Sequence, residues 1–225
     1  MMDINYQMLP WPPRVDRVSG CAVDLWCGSL SELEQHAAHL ATLLSPDEAR
    51  RVAAYKMEQH RQRFSLTRGV LRTLLGGYLN CDPAMVRVTE GANGKPSAEG
   101  APGFNVSHSK DVVVYVFSNH ASVGVDVEYL DEKLSREAIV NDVFSPTERV
   151  AYRAAGPDDS LRTFFNIWVR KEARLKATGF GWIHRNPASV EDLPVIDLQL
   201  TTGYVGALAF FNPEACVQQA SGSRR

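Results

Sequence analysis

Ser45-Pro46-Asp47-Glu48 and Ser145-Pro146-Thr147-Glu148 open two segments with the same chemistry, 100 residues apart. Each offers a serine to cap a helix, a proline at the first helical position, and a glutamate three residues after the serine to close a capping box. At the same offset Phe64 matches Phe164 and Leu75 matches Leu175, in the second helix of each half. Upstream, Ala22-Val23-Asp24-Leu25-Trp26 and Gly124-Val125-Asp126-Val127-Glu128 share a strand-like pattern at an offset of 102. A duplicated unit of roughly 100 residues follows, within the usual size of a domain. Each half reads as strand, helix, longer helix, then hairpin-like strands. The class is therefore α+β, with an N-terminal half over 1–118 and a C-terminal half over 119–225.

Working outward, the longer helix of the first half spans Glu58 to Leu79 and ends at Asn80-Cys81-Asp82-Pro83. A strand is predicted near Met85 to Thr89, then a turn through Gly91 to Pro96. Phe104 to Val106 and Val112 to Phe117 read as strands around a Ser107-His108-Ser109-Lys110 connection. In the second half, Leu161 to Thr178 reads as the longer helix, stopped at Gly179, and 180–194 as a loop. Leu198 to Leu200 and Tyr204 to Phe211 read as a closing hairpin turned at Thr202-Gly203, and the tail from Gln218 is expected to fray.

Composition narrows the class. The 225 residues are 44% hydrophobic and 22% charged, which excludes disorder, collagen and coiled coil. No apolar run approaches the roughly 18 to 20 residues of a membrane span, and the opening MMDINYQMLPWPP lacks the features of a secretory signal, so the expected location is the cytoplasm. Cys21, Cys27, Cys81 and Cys216 have no metal-ligand spacing and read as small buried hydrophobes in a reducing compartment. Twenty-four basic against 26 acidic residues, a net charge of −2, disfavours a dedicated nucleic-acid binder. The charge is uneven, however: Arg50, Arg51, Lys56, Arg61, Arg63, Arg68 and Arg72 face the single acid Glu58 within 23 positions. Such a run either faces water as a solvated helix surface or meets an anion.

On the strand Val123 to Glu128, Asp126 and Glu128 project on one side. Paired carboxylates suit Mg²⁺, which binds one or two of them together with substrate phosphates, although a bare D-x-E is common on exposed strands. Glu172 and Lys176 stand one helical turn apart, a spacing that in isolation describes a surface ion pair contributing ~0.3 to 0.5 kcal/mol. What shifts the reading is their order. The D-x-E strand precedes the K-E-x-x-x-K helix by about 45 residues, in a chain that offers G-K-P and F-N-V-S-H-S before both.

Gly94-Lys95-Pro96, Phe104-Asn105-Val106-Ser107-His108-Ser109, Val123 to Glu128, and Trp168-Val169-Arg170-Lys171-Glu172-Ala173-Arg174-Leu175-Lys176 resemble, in order and spacing, the signatures of the Sfp-type 4'-phosphopantetheinyl transferases. The resemblance covers roughly residues 20 to 210. The Leu9 to Pro13 opening and the E-Y-L after the acidic strand are similar to the HetI-like branch. The resemblance implies a pseudo-dimer of two α+β halves in one chain, with the active site in the cleft between them. It also implies transfer of the phosphopantetheine arm of coenzyme A to a serine of an apo acyl, peptidyl or aryl carrier protein, releasing adenosine 3',5'-bisphosphate. The expected partners are those carrier proteins and coenzyme A, with neither nucleic acid nor membrane, and the expected state is a monomer.

Residue by residue, the resemblance assigns Asp126, Glu128 and Glu172 to Mg²⁺, with Mn²⁺ as a substitute. Glu172 is in addition the general base toward the carrier serine, and Lys176 contacts the diphosphate and assists the leaving phosphate, with Lys171 as a second cation. Gly94, Lys95 and Pro96 meet the adenosine end of coenzyme A, Ser107 and His108 its phosphates, and Arg51, with Arg63 behind it, the 3'-phosphate. Two positions depart from the family pattern. Val169 replaces a small polar residue or cysteine and reads as a packing variation, and Phe64 stands where some members carry threonine. Asp24 and Trp26 stand where the second half has Asp126 and Glu128, so a single active site is expected. A metal-dependent phosphodiester hydrolase or nuclease also uses an acid pair followed by E-x-K, but has no need of G-K-P or N-x-S-H-S. A non-catalytic coenzyme A binding module would not need the complete set Asp126, Glu128, Glu172 and Lys176.

Overall fold

A computed structural model describes residues 4–9, 23–91, 94–119, 121–179 and 188–211. Its mixture of helix and sheet is α+β, as expected, and the chain divides into two compact units. The first comprises 1–104 and 111–119, the second 105–110 and 120–225. The division thus falls after Asn119, and a short stretch carrying S-H-S, residues 105–110, groups with the second unit. Residues 10–13 of the opening, Cys21, Cys216, Ala92, Asn93, residues 180–187 and the tail lie outside the described residues.

In the first unit, β1 (Ile4–Met8) runs parallel to β2 (Val23–Ser29), which pairs antiparallel with β6 (Val112–Ser118). Short helices α1 (Leu30–Leu33) and α2 (Ala37–Thr42) lead to α3 (Pro46–Ala54) and α4 (Glu58–Leu79). Leu66, Val70, Leu74 and Leu75 follow a helical stripe on α4 and are buried with Leu25, Trp26, Leu40 and Val114. Asn80, in the left-handed region at φ 53°, ends the helix. The strand predicted over 85–89 starts later. Pro83–Met85 is a turn of 3₁₀ helix whose cap is Asp82, and β3 (Val88–Glu90) then pairs with β4 (Pro96–Ala98) around the Gly91–Lys95 turn. Cys81 is exposed rather than buried, because it follows the helix cap, whereas Cys27 is buried within β2 as expected.

In the second unit, β7 (Ser122–Tyr129) pairs along its length with β9 (Tyr204–Phe211), which also pairs with β8 (Val195–Leu198). The predicted hairpin forms with its first strand earlier than expected, over Val195–Leu198 and not Leu198 to Leu200, and Gly203 at φ +87° precedes β9. Helices α5 (Arg136–Val143), α6 (Pro146–Ala154) and α7 (Ser160–Thr178) precede a short α8 (Ala188–Glu191) inside the segment expected to be loop. The core gathers Val140, Phe144, Phe164, Phe165 and Val169 with Ala173 and Ala177 against Val205, Ala207 and Ala209. Val169 is fully buried, so its departure from the family pattern is one of packing. No described helix is long and apolar enough to cross a membrane.

Both capping boxes form, and with the same geometry. Ser45 (φ −66°, ψ 161°) and Ser145 (φ −65°, ψ 163°) each accept from the glutamate N–H at 3.3 Å, while the serine N–H donates to that glutamate at 2.8 Å. Each box opens a nine-residue helix. The two glutamates have the same second partner by type, a buried cation of the following long helix: Arg72 on Glu48 at 2.6 Å and Lys171 on Glu148 at 3.0 Å.

Candidate active site

The second unit builds its site on a close approach of helix to strand. A Cβ at Gly124 would collide with the backbone of Ala173 and of Ala177, so only glycine allows β7 to lie directly on α7. That approach brings Asp126 and Glu128, two and four residues further along β7, to Glu172 and Lys176 on α7. Together with Val106, Ser107, His108 and Trp168 they line a cavity of about 310 Å³.

Strand β5 (Gly103–Ser109) enters the second unit at Asn105 and serves β7 through side chains. Asn105 Oδ1 accepts from Val125 N at 2.9 Å, Ser107 Oγ from Val127 N at 3.2 Å, and Ser109 Oγ from Tyr129 N at 3.1 Å. Alternate residues of one strand thereby satisfy alternate N–H groups of the next. The S-H-S motif is thus strand and not the connection predicted. The turn comes later, at Lys110, whose φ is 49°. The same hydroxyls reach the acids: Ser107 Oγ donates to Asp126 Oδ1 at 2.9 Å and Ser109 Oγ to Glu128 Oε2 at 2.7 Å. Neither Asn105 nor Ser109 was singled out from sequence, although N-x-S-x-S at alternating positions before a D-x-E strand carried the signal.

Asp126 is the most enclosed of the acids. Lys176 Nζ donates to its Oδ1 at 2.6 Å and to Ser107 Oγ at 3.2 Å, while its buried Oδ2 has no hydrogen-bond partner. Burial pushes the Asp126 carboxyl above its ordinary range, against the pull of the Lys176 ammonium and of the hydrogen bonds from Lys176, Ser107 and Val127. Glu128 is shifted the same way, first by burial and further by the charge of Asp126, while Ser109 and Trp168 hold it down by hydrogen bonds. Trp168 is stacked along the helix on Phe164, 6.4 Å between ring centres. Lys171, expected as a second cation, lies elsewhere: it is buried, and Glu148 at 3.0 Å and Glu191 at 3.6 Å hold its ammonium. Among the described residues no three His, Cys, Asp or Glu side chains are gathered closely enough to hold a metal ion as they stand. The ammonium of Lys176 instead balances Asp126.

Arg51, Gly94, Lys95 and Pro96 belong to the first unit. Gly94 has φ +75°, donates from its N–H to Gly91 O at 2.9 Å, and would meet nothing within 4 Å if it carried a Cβ, so here backbone conformation demands glycine. Burial lowers the Lys95 ammonium to about 8. Arg51 on α3 donates to Glu90 at 2.7 Å and lies over the Phe64 ring, 4.9 Å from its centre. Asp24 and Trp26 are spent internally. Tyr78 Oη donates to Asp24 at 2.8 Å and accepts from Trp26 Nε1 at 3.2 Å, and Asn5 donates to Asp24 at 3.0 Å.

Comparison with known proteins agrees with the motifs. The family model of the 4'-phosphopantetheinyl transferase superfamily matches residues 122–222. The 4'-phosphopantetheinyl transferase HetI of a Nostoc species is 32% identical over 216 residues, 94% of this chain and 91% of that protein. The 4'-phosphopantetheinyl transferase AcpT of Salmonella typhimurium is 38% identical over 110 residues, 48% of this chain and 56% of AcpT. The 4'-phosphopantetheinyl transferase gsp of Aneurinibacillus migulanus is 25% identical over 191 residues, 77% of this chain and 79% of gsp. A carboxylate-lined cavity assembled from the ordered motifs, and a full-length relative above 30% identity, lead to one conclusion: the chain belongs to the 4'-phosphopantetheinyl transferase superfamily, and its activity is 4'-phosphopantetheinyl transfer.

Proposed function

We propose that this protein moves the 4'-phosphopantetheine arm of coenzyme A onto a serine hydroxyl of an apo acyl, peptidyl or aryl carrier protein, with Mg²⁺ held by Asp126, Glu128 and Glu172. The observation that carries the reading is the single cavity in which these three carboxylates and Lys176 meet. One feature favours a cation there: Asp126 Oδ2 is buried without a hydrogen-bond partner. Bound Mg²⁺ supplies charge neutralisation for the diphosphate, the main electrostatic demand of phosphoryl-type transfer.

The protein's own groups do the rest. Glu172 accepts the proton of the carrier serine, directly or through water, as that oxygen bonds to the β-phosphorus. The bond from phosphorus to the adenosine bisphosphate oxygen breaks, and Lys176 stabilises or protonates the departing phosphate. Ser107 and His108 hold the phosphates, with Ser107 also fixing Asp126. Gly94, Lys95 and Pro96 support the adenosine end, where a left-handed glycine lets backbone approach the ligand closely. Arg51 takes the 3'-phosphate, for which a guanidinium offers paired N–H donors.

The repeated capping boxes and long helices support a pseudo-dimer of two similar halves with one active cleft between them. The internal hydrogen bonds of Asp24 and Trp26 support the expectation that only one half carries the metal site. The functional test is release of adenosine 3',5'-bisphosphate from coenzyme A. Release that requires an apo carrier protein is expected. Release at the same rate without any carrier would make the protein a hydrolase.

A further inference from the structure

Glu90, at the end of β3, pairs through its backbone with Pro96 of the G-K-P turn, and its side chain reaches two arginines of other elements. Its Oε1 lies 2.7 Å from Arg51 Nη1 and 3.4 Å from Arg68 Nη2. Both guanidinium groups also lie over the ring of Phe64, at 4.9 and 5.4 Å. One carboxylate oxygen therefore joins two cations that an aromatic ring already holds side by side.

The members of this cluster differ in their freedom. Arg68 is 11% exposed and its other acid, Glu48, is 3.6 Å away. Glu48 is already committed to Arg72 at 2.6 Å and to the Ser45 N–H at 2.8 Å. Arg72 in turn donates to the carbonyls of Pro83, Ala84 and Val86 and cannot turn away. Glu90, by contrast, is 44% exposed. It can leave for water at little cost, because half-exposed ion pairs contribute little to stability. Arg51, 49% exposed, is as free to move as Glu90; the guanidinium of Arg68, only 11% exposed, is held in place and keeps its demand for an anion.

We infer that Glu90 is an internal surrogate for the ligand's phosphate: its carboxylate holds Arg51 and Arg68 together in the free protein and is displaced when the 3'-phosphate of coenzyme A arrives. This rests on the reading that Arg51 binds that phosphate. It adds Arg68 as a second phosphate ligand and makes Glu90 the residue that limits discrimination between coenzyme A and its 3'-dephospho form. A phosphate carries more charge than a carboxylate and has three oxygens for two guanidinium groups, so it wins the same N–H donors. The discrimination is reduced by whatever it costs to expel Glu90.

The test is the Kd of coenzyme A and of 3'-dephospho-coenzyme A for the full chain, wild type, E90Q and R51A, by titration calorimetry without carrier protein. E90Q is expected to tighten coenzyme A about threefold to tenfold, because a competing charge is gone. The dephospho form should move much less, so the ratio of the two widens, and E90A should shift it in the same direction. Weaker coenzyme A binding by E90Q would mean that Glu90 positions Arg51 rather than competing with the ligand, and would overturn the inference. Equal shifts for both ligands, or none, would overturn it too. R51A separates this from the underlying reading. If wild type prefers coenzyme A and R51A abolishes the preference, the phosphate site stands even where the Glu90 inference fails. A wild type without preference removes both.

Discussion

Ser107 Oγ donates to Asp126 Oδ1 while accepting from Val127 N, so one hydroxyl fixes both the acid and the backbone that carries it. Ser109 repeats the arrangement with Glu128 and Tyr129. The orientation of the acid pair thus depends on the strand before it. Replacing Ser109 by alanine leaves the Tyr129 N–H and one Glu128 oxygen without that partner, which should cost about 0.5 to 1.5 kcal/mol of stability. Chemical denaturation measures this, and an unchanged midpoint would show that water replaces the hydroxyl.

Gly124 sets the distance between β7 and α7, where an added methyl would meet helix backbone and not a movable side chain. Gly124→Ala should lower stability by more than about 3 kcal/mol and lower transfer activity together, because strand and helix must part. A variant with wild-type melting temperature and rate would show that the close approach is dispensable.

Glu172→Gln should reduce kcat by about 10² to 10⁴, the usual contribution of a general base, while the Kd of coenzyme A changes little. Near-normal turnover in single-turnover mixing would remove Glu172 from its assigned role.

The proposed assignment of Mg²⁺ to the acid pair predicts a metal stabilisation that depends on pH. Asp126 and Glu128 have folded pKa values raised above the ordinary ones, chiefly by burial. Raised carboxyls favour the fold below their unfolded pKa, and that contribution is lost as pH rises through the folded values. Mg²⁺ selects the ionised form, so its rise in Tm should be larger near about pH 8 than near about pH 5. Asp126→Ala should abolish the rise at both. A rise unaffected by pH and retained in the variant would count against the ligand assignment.

Lys95, lowered to about 8 by burial, loses its charge within an accessible range. Coenzyme A affinity should fall as pH passes through that value, and Lys95→Arg, charged throughout, should flatten the profile. An identical fall in the arginine variant would assign the titration to another group.

How much of this was legible in the sequence depended on whether the physics was local. Ser45-Pro46-Asp47-Glu48 and its repeat specify their caps within four residues, and both form with matching dihedrals. Asn80 and Gly179 stop their helices for the same local reason. The alternation of Asp126 and Glu128 with Val125 and Val127 was equally visible. Lys171 was misjudged because its neighbours in sequence are the motif, whereas its partners Glu148 and Glu191 lie 23 and 20 residues away. S-H-S was misjudged because polar residues suggest a turn, and only the N–H groups of β7 explain why hydroxyls belong in that strand. Glu90 carried no signal, since its meaning arises from Arg51 and Arg68, 39 and 22 residues distant.

The most direct test of the account is the intact mass of an apo carrier protein after incubation with this protein, coenzyme A and Mg²⁺, beside a carrier whose acceptor serine is alanine. The account predicts a gain of one phosphopantetheine arm on the serine carrier, abolished by a chelator and restored by excess Mg²⁺, and no gain on the alanine carrier. A full gain in the presence of chelator would contradict the role given to Asp126, Glu128 and Glu172, and no gain with any of several carriers would contradict the transfer itself.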